Sequence, residues 1–282
     1  MASTCAIGAG KSSPNTSKGD TVKVHDIMTT NPQSVSIDEY VTHAREIMRD
    51  YNYDSLPVVD NGKVAGIITL QDIINITSTK SDVTVNGYVR SSIPMLTPDT
   101  GLPKAAFIII HTDEGRVPVV DGSSKLVGLL SIKDIFKGLP ELDLMDVPVS
   151  DLMTKKVVVC QPDDNLSKTW ANMIEFGLTG IPVVSMKQEV IGMITREDVM
   201  KKGYARIERE SQGGKTSTTV QKIMSTPAIT VNDNDSIKKA AKIFIEHNIG
   251  RVPVVNNSIL VGIVDRFDVI RACKVLQGVS AK

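Results

Sequence analysis

Apolar and polar positions along this chain follow a phrase that occurs four times. A Pro-Val-Val run and a polar break lead into a second apolar run, which opens on glycine and ends on a small polar residue with an aspartate three places beyond. The copies read Leu56-Pro57-Val58-Val59 with Gly66-Ile67-Ile68-Thr69-Leu70-Gln71-Asp72, and Val117-Pro118-Val119-Val120 with Gly128-Leu129-Leu130-Ser131-Ile132-Lys133-Asp134. They continue as Ile181-Pro182-Val183-Val184 with Gly192-Met193-Ile194-Thr195-Arg196-Glu197-Asp198, and Val252-Pro253-Val254-Val255 with Gly262-Ile263-Val264-Asp265-Arg266-Phe267-Asp268. The period, roughly sixty to seventy residues, is too long for a short-unit solenoid, so each copy is predicted to be a small βαββα unit.

The first copy shows the order of elements. Gln33 to Ile37 is predicted as a short strand, and Asp38 as the cap of a helix whose apolar positions Val41, Ala44, Ile47 and Met48 recur at helical spacing. Leu56 to Val59 and Val64 to Thr69 are strands joined at Asp60-Asn61-Gly62, residues that tolerate the positive φ of a tight hairpin, and a second helix follows from about Leu70. Turn chemistry recurs at Asp121-Gly122-Ser123-Ser124 and Asn256-Asn257-Ser258. The division that follows is a disordered tail over 1–20, a first pair of repeats over 21–140 (21–80 and 81–140), and a second pair over 141–282. The second pair has repeats at 141–203 and 219–276 with a polar, mobile loop at 204–218 between them.

Composition narrows the class. A chain of 282 residues can bury a substantial core, and a formal net charge of zero gives no general attraction to polyanions, so nucleic acid is not an expected partner. The three cysteines, Cys5, Cys160 and Cys273, are scattered and fit a reducing compartment without disulfides or a metal pattern. Apolar runs such as Ala105 to Ile110 fall far short of the roughly twenty residues of a membrane helix, and no secretory signal opens the chain, so a cytoplasmic protein is expected. Gly8-Ala9-Gly10-Lys11-Ser12 imitates the end of a P-loop but has Cys5 where that motif requires glycine, and no strand precedes it.

Candidate chemistry gathers at the end of each returning strand. Thr69-x-x-Asp72, Ser131-x-x-Asp134 and Thr195-x-x-Asp198 fit helix capping boxes, and Asp265-x-x-Asp268 can cap equally well. The start of a helix also favours a phosphate, so capping and ligand binding both stand on these residues.

Together with Asp26-Ile27-Met28-Thr29, Asp151-Leu152-Met153-Thr154 and Lys222-Ile223-Met224-Ser225, these phrases make the chain resemble the cystathionine β-synthase (CBS) domain family from Thr21 to about Leu276. The likeness extends to stand-alone archaeal CBS proteins and the γ subunit of AMP-activated protein kinase. Repeat 2 departs, with Ser92-Ile93-Pro94 in place of the methionine motif. The resemblance implies an α/β fold in which four βαββα CBS repeats form two tandem pairs packed as a disk, each pair holding two clefts. Pairing has a physical reason, because one such unit cannot cover its own apolar sheet face.

The resemblance further implies that the aspartate accepts hydrogen bonds from both ribose hydroxyls of an adenosine ligand while the threonine or serine hydroxyl reaches its phosphate. Arg116 and Arg251 stand two places before the strand proline in repeats 2 and 4, where repeats 1 and 3 have Ser55 and Gly180. In the γ subunit such an arginine crosses to the partner repeat's ligand. This groups Arg116, with Lys133 as a second cation, with Thr69 and Asp72, and groups Arg251 with Thr195 and Asp198. The family's adjacent histidine is Gly115 and Gly250 here. Ser131 and Asp134 face Ser55 and form a weaker cleft, and in the cleft of Asp268 the carboxylate of Asp265 stands where a phosphate would sit.

The expected function is regulatory and not enzymatic. Adenine nucleotides, AMP or ADP first and ATP next, are expected to bind between paired repeats and to pass an energy signal to a regulated partner protein. No catalytic cofactor is expected, and two disks can pair as a homodimer. S-adenosylmethionine or methylthioadenosine is the alternative ligand, and a protein- or nucleic-acid-binding scaffold with vestigial clefts the alternative class. The four histidines form no repeated pair, and Trp170 is expected in the core.

Overall fold

The protein is described by a computed structural model covering residues 22–51, 53–73, 76, 82–112, 115–141, 143–201, 218–274 and 276. The tail over 1–20, with its P-loop-like stretch, and the loop 204–218 up to residue 217 lie outside the described residues. The chain enters through α1 (Val24–Ile27) and β1 (Thr29–Thr30). Repeat 1 then runs β2 (Val35–Ser36), α2 (Val41–Asp50), β3 (Ser55–Asp60), β4 (Lys63–Thr69) and α3 (Leu70–Ile73). Repeat 2 has α4 (Leu102–Ile110), β5 (Arg116–Val120), β6 (Leu126–Ser131) and α5 (Ile132–Ile135). Repeat 3 has α6 (Leu166–Glu175), β7 (Gly180–Val184), β8 (Val190–Thr195) and α7 (Arg196–Lys201). Repeat 4 has β9 (Val231–Asn232), α8 (Ile237–Glu246), β10 (Arg251–Asn256), β11 (Ile259–Asp265) and α9 (Arg266–Arg271).

Each Pro-Val-Val strand pairs antiparallel with its glycine-led partner, and all four hairpins carry a register shift between the two valines. The turns use the expected residues: Asn61 and Gly62 hold φ of 48° and 78°, and Asn257 and Ser258 hold 49° and 70°. The first strand of repeat 1 shrinks from the expected Gln33–Ile37 to Val35–Ser36, and α2 starts after Tyr40 rather than at Asp38. Tyr40 bridges Thr84, and Val41 N donates to Val83 O at 2.9 Å, so backbone from the following linker fixes the helix start in place of a side-chain cap.

The segment leading into each repeat docks on the sheet of its partner. Thr29 pairs with Leu129 and Thr30 with Gly128, so β1 completes the sheet of repeat 2. Arg90, leading into repeat 2, bridges Ile67 of repeat 1; Thr154 bridges Ile263 of repeat 4; Ser225 bridges Met193 of repeat 3. The glycine that opens each returning strand is the floor of this exchange. A Cβ on Gly128 would meet Met28 Sδ, one on Gly262 would meet Met153 Sδ, and one on Gly192 would lie 2.9 Å from Met224 Sδ. Gly66 has Val89 and the Arg90 carbonyl over it. The methionine and glycine motifs are thus the two sides of one contact between repeats. Repeat 2 has a counterpart of the methionine motif after all, Tyr88-Val89-Arg90 rather than Ser92-Ile93-Pro94, because the register against Gly66 decides the alignment.

Hairpin tips join within each pair, Val64 N donating to Ser124 O and Leu260 N to Gln188 O, both at 3.0 Å. One apolar core runs through repeats 2 and 4, including Ile109, Leu130, Phe136, Phe244 and Val269. Repeats 1 and 3 each have a cluster of their own, the latter holding Trp170 at 3% exposure. On that side of the molecule Gln71 Nε2 donates to Ile174 O at 3.3 Å. The four returning strands therefore end around a shared centre.

Candidate functional site

The repeated aspartates first serve the backbone. Asp72 Oδ2 accepts Thr69 N at 2.8 Å and Thr69 Oγ1 at 2.6 Å. Asp134 Oδ2 accepts Ser131 N at 2.9 Å and Oγ at 2.7 Å, and Asp198 Oδ2 accepts Thr195 N at 2.9 Å and Oγ1 at 2.6 Å. In repeat 4, Asp268 Oδ2 accepts Asp265 N at 2.9 Å while Asp265 Oδ1 accepts Phe267 N and Asp268 N. The capping boxes are real, and they consume one oxygen of every aspartate. A ribose diol must then be met chiefly by the remaining Oδ1.

The four Oδ1 atoms differ. That of Asp72 accepts Arg90 Nε at 3.0 Å and Nη2 at 2.7 Å. Lys137 Nζ donates to Asp134 Oδ1 and Arg271 Nη1 to Asp268 Oδ1, each from three residues further along the chain. Among the described residues Asp198 Oδ1 has no partner.

A cavity of about 710 Å³ occupies the centre where the repeats meet, within the usual size of small-molecule sites. Thr69, Ser131, Thr195 and Asp265 all line it, but of the four family aspartates only Asp198 does. Its charged lining is Arg90, Arg116, Lys133, Arg196, Arg251 and Arg266 against Asp54, Glu197, Asp198 and Asp265, an excess of positive charge that favours an anion. Arg116 reaches across its pair to repeat 1: Nη2 lies 2.7 Å from Asp54 Oδ1 and Nη1 donates to Ser55 O and Oγ at 3.3 Å. The side chain of Arg251 likewise lies against Gly180 of repeat 3, and its Nη2 is 3.9 Å from Asp265 Oδ2. Burial holds Arg251 below its ordinary pKa, offset by Asp265 and Asp268. Burial also lowers Lys133, reinforced by Arg266 and opposed by Glu197.

Three cations of this lining, Arg90, Arg196 and Arg266, were not singled out from the sequence. Arg196 and Arg266 directly follow the capping residue in repeats 3 and 4, where repeats 1 and 2 have Leu70 and Ile132. They are 8% and 6% exposed, and both have an Nε with no hydrogen-bond partner among the described residues. Arg196 Nη2 donates to Met173 O at 2.8 Å, and the Arg266 guanidinium lies 5.6 Å from the Phe136 ring centre. Burial lowers the pKa of both. Aligning the four copies residue by residue past the hydroxyl would have exposed them. Asp54 and Arg90 carry no such local signal. Gly115 also finds its reason here: it holds φ of 60°, and a Cβ would lie 2.8 Å from Phe267 Cζ, which leaves no room for the family's histidine.

The cleft of repeat 4 opens instead to a separate cavity of about 330 Å³ bounded by His111, Thr154, Asp265, Phe267, Asp268 and Arg271. Burial first and Asp265 second push Asp268 up to about 6. Among the described residues no group of His, Cys, Asp and Glu could hold a metal ion, and no helix is long and apolar enough to cross a membrane. Burial raises the thiols of Cys160 and Cys273 to about 12, well away from reactive thiolates.

The chain matches the CBS domain family over residues 24–78, 85–141, 149–204 and 220–275. It is similar to uncharacterized protein MJ1404 of Methanocaldococcus jannaschii, with 29% identity over 259 residues, 88% of this chain but only 61% of that protein's length. Uncharacterized protein MJ1225 of the same organism is 27% identical over 250 residues, 79% of this chain and 89% of that protein. The crystal structure of MJ1225, proposed to be an archaeal homologue of the AMP-activated protein kinase γ subunit, aligns with a TM-score of 0.73 and 24% identity over 89% of this chain and 99% of that one. An uncharacterized conserved protein from Pyrococcus horikoshii aligns with a TM-score of 0.64 and 22% identity over the same shares. The likeness to the two solved structures is one of fold.

Proposed function

This chain belongs to the CBS domain family, and from that premise we propose that it is a regulatory sensor of an adenine nucleotide, AMP or ADP before ATP, which acts on a partner protein. The observation that carries the reading is the cleft of repeat 3. Asp198 lines the central cavity with Oδ1 unengaged among the described residues, and Arg196, whose buried Nε has no partner among them, and Arg251 line the same space. A carboxylate oxygen suits the ribose diol, and guanidinium groups suit phosphate oxygens. Binding an anion here would also add a partner of full opposite charge for Arg196, whose Nε has none among the described residues, and for Arg251, whose Asp265 partner stands 3.9 Å away. Repeat 1 carries the corresponding Thr69, Asp72, Arg116 and Lys133 with Asp72 engaged by Arg90.

A second ligand class is favoured at repeat 4. The Asp265 carboxylate beside Asp268 disfavours phosphate, so that cleft, like the weaker one of Ser131 and Asp134, suits adenosine ligands such as S-adenosylmethionine or methylthioadenosine.

Thermal unfolding in a large excess of AMP, ADP, ATP, S-adenosylmethionine or adenine tests the reading. At about a hundred times the dissociation constant a bound ligand adds roughly 2.7 kcal/mol. A rise in Tm with AMP or ADP that disappears in Asp198→Ala is the expected result. No rise with any nucleotide removes the proposal and leaves the aspartates as helix caps.

A further inference from the structure

We propose that Arg90 closes the ribose site of the repeat 1 cleft, so that the two arginine-bearing clefts are unequal and repeat 3 supplies the nucleotide site of first rank. The inference rests on the nucleotide reading of these clefts and says which of them is open.

The cap holds Asp72 Oδ2 through Thr69 N and Oγ1, which leaves Oδ1 as the oxygen a diol can reach. Arg90 donates to that same oxygen through both Nε and Nη2, at 3.0 and 2.7 Å. Two charged donors on one oxygen fill its lone pairs. At repeat 3 Asp198 lines the central cavity and its Oδ1 has no partner among the described residues; at repeat 1 Arg90 lines the cavity and Asp72 does not.

Arg90 is held where it is by the exchange of leading segments. Ile67 N donates to Arg90 O at 3.1 Å and Arg90 N to Ile67 O at 2.8 Å, directly over Gly66. In the other three exchanges the residue at this register is Thr29, Thr154 or Ser225. Those side chains end one bond past Cβ and lack the guanidinium fork, so substitution at one position sets repeat 1 apart. The cations on the other aspartates are of a different kind. Lys137 and Arg271 approach along their own chain from three residues further on, have side chains 58% and 53% exposed, and line no part of the central cavity, although Arg271 bounds the smaller cavity of repeat 4. The Arg90 side chain is 38% exposed, comes from the partner-docked segment and lines the central cavity.

Calorimetric titration of the full chain with AMP, wild type against Arg90→Thr, tests this. Arg90→Thr gives repeat 1 the residue found in the other exchanges, and the expected result is a second AMP site. Releasing two charged hydrogen bonds predicts a gain at that cleft of about tenfold to a hundredfold in affinity. Adding Asp72→Ala to Arg90→Thr is expected to erase the new site. An unchanged isotherm, a new site that survives Asp72→Ala, or weaker binding in Arg90→Thr, which would make Arg90 a ligand contact, each overturns the proposal. Should Arg90→Thr fold poorly by circular dichroism, Arg90→Gln keeps most of the stem without the charge and carries the same expectation.

The gate and the sensor reading fail separately. If the wild type binds no AMP and Arg90→Thr binds it through Asp72, the gate stands while the repeat 3 reading falls. Absence of binding in both removes both.

Discussion

Replacing Asp265 by threonine gives repeat 4 the capping residue that repeats 1 and 3 carry, and its effect on stability can be worked out. Asp268 is 7% exposed and its pKa rises from 3.8 to about 6, by burial first and by the neighbouring Asp265 carboxylate second. At about 1.4 kcal/mol per unit, the ionised carboxylate disfavours the folded state by about 3 kcal/mol. The folded pKa lies above the unfolded one, so the folded protein holds more protons between about pH 4 and 6. Stability from this group is full below pH 4 and is lost as the pH rises through about 6. Asp265→Thr keeps a cap, since threonine accepts from the first turn as aspartate does, but removes the like charge. It also removes the partner of Arg251, which at 3.9 Å contributes little. Because Asp265 is the lesser cause, the variant is expected to gain on the order of 1 kcal/mol at pH 7.5 and to converge on the wild type near pH 4.5. Urea unfolding across that range reads the difference directly. A gap that does not change with pH, or a variant less stable at pH 7.5, would refute the reasoning.

Gly262→Val should destabilise by about 1–3 kcal/mol by driving a side chain into Met153, and Met153→Ala should recover part of that loss. Additive losses in denaturant unfolding would show that the two residues do not share a contact. Gly115→Ala should lower Tm because alanine is strained at φ of 60° and Phe267 stands 2.8 Å from the new Cβ. Pairing it with Phe267→Leu is expected to relieve only the steric share, and complete rescue would mean that the backbone is unstrained.

The four hairpins were legible because proline strand and glycine-led strand recur in the same order at nearly constant spacing, and Asn61-Gly62 and Asn257-Ser258 declare their conformation locally. The capping boxes were legible for the same reason. What could not be read was whatever depends on partners distant in the chain. Helix α2 looked capped by Asp38 because local rules see only local donors, whereas the linker backbone at Val83 and Thr84 fixes its start. Repeat 2 looked as though it had lost its methionine motif because Val89 and Arg90 share neither residue with it; only the pairing against Ile67 gives the register. Arg90 then escaped notice, although its side chain decides what is left of Asp72. The resemblance assigned both ribose hydroxyls to a free carboxylate, while the caps leave each aspartate one oxygen.

The exchange of leading segments has a consequence during synthesis. Strand β1 pairs with residues about a hundred positions further on, Thr29 with Leu129, whereas Arg90 follows its partner Ile67 closely. At about 5–20 residues per second the ribosome needs roughly 5–20 seconds to deliver the sheet that β1 completes. Until then the segment around Met28 is an unpaired edge beside a finished repeat 1, exposed to chaperones and to other nascent chains. Chains stalled shortly after Arg90 leaves the exit tunnel are therefore expected to protect repeat 1 from protease but not Thr29, and equal protection of both would contradict this order. A repeat is the unit of sequence, but the pair is the smallest length of nascent chain that can complete its sheets.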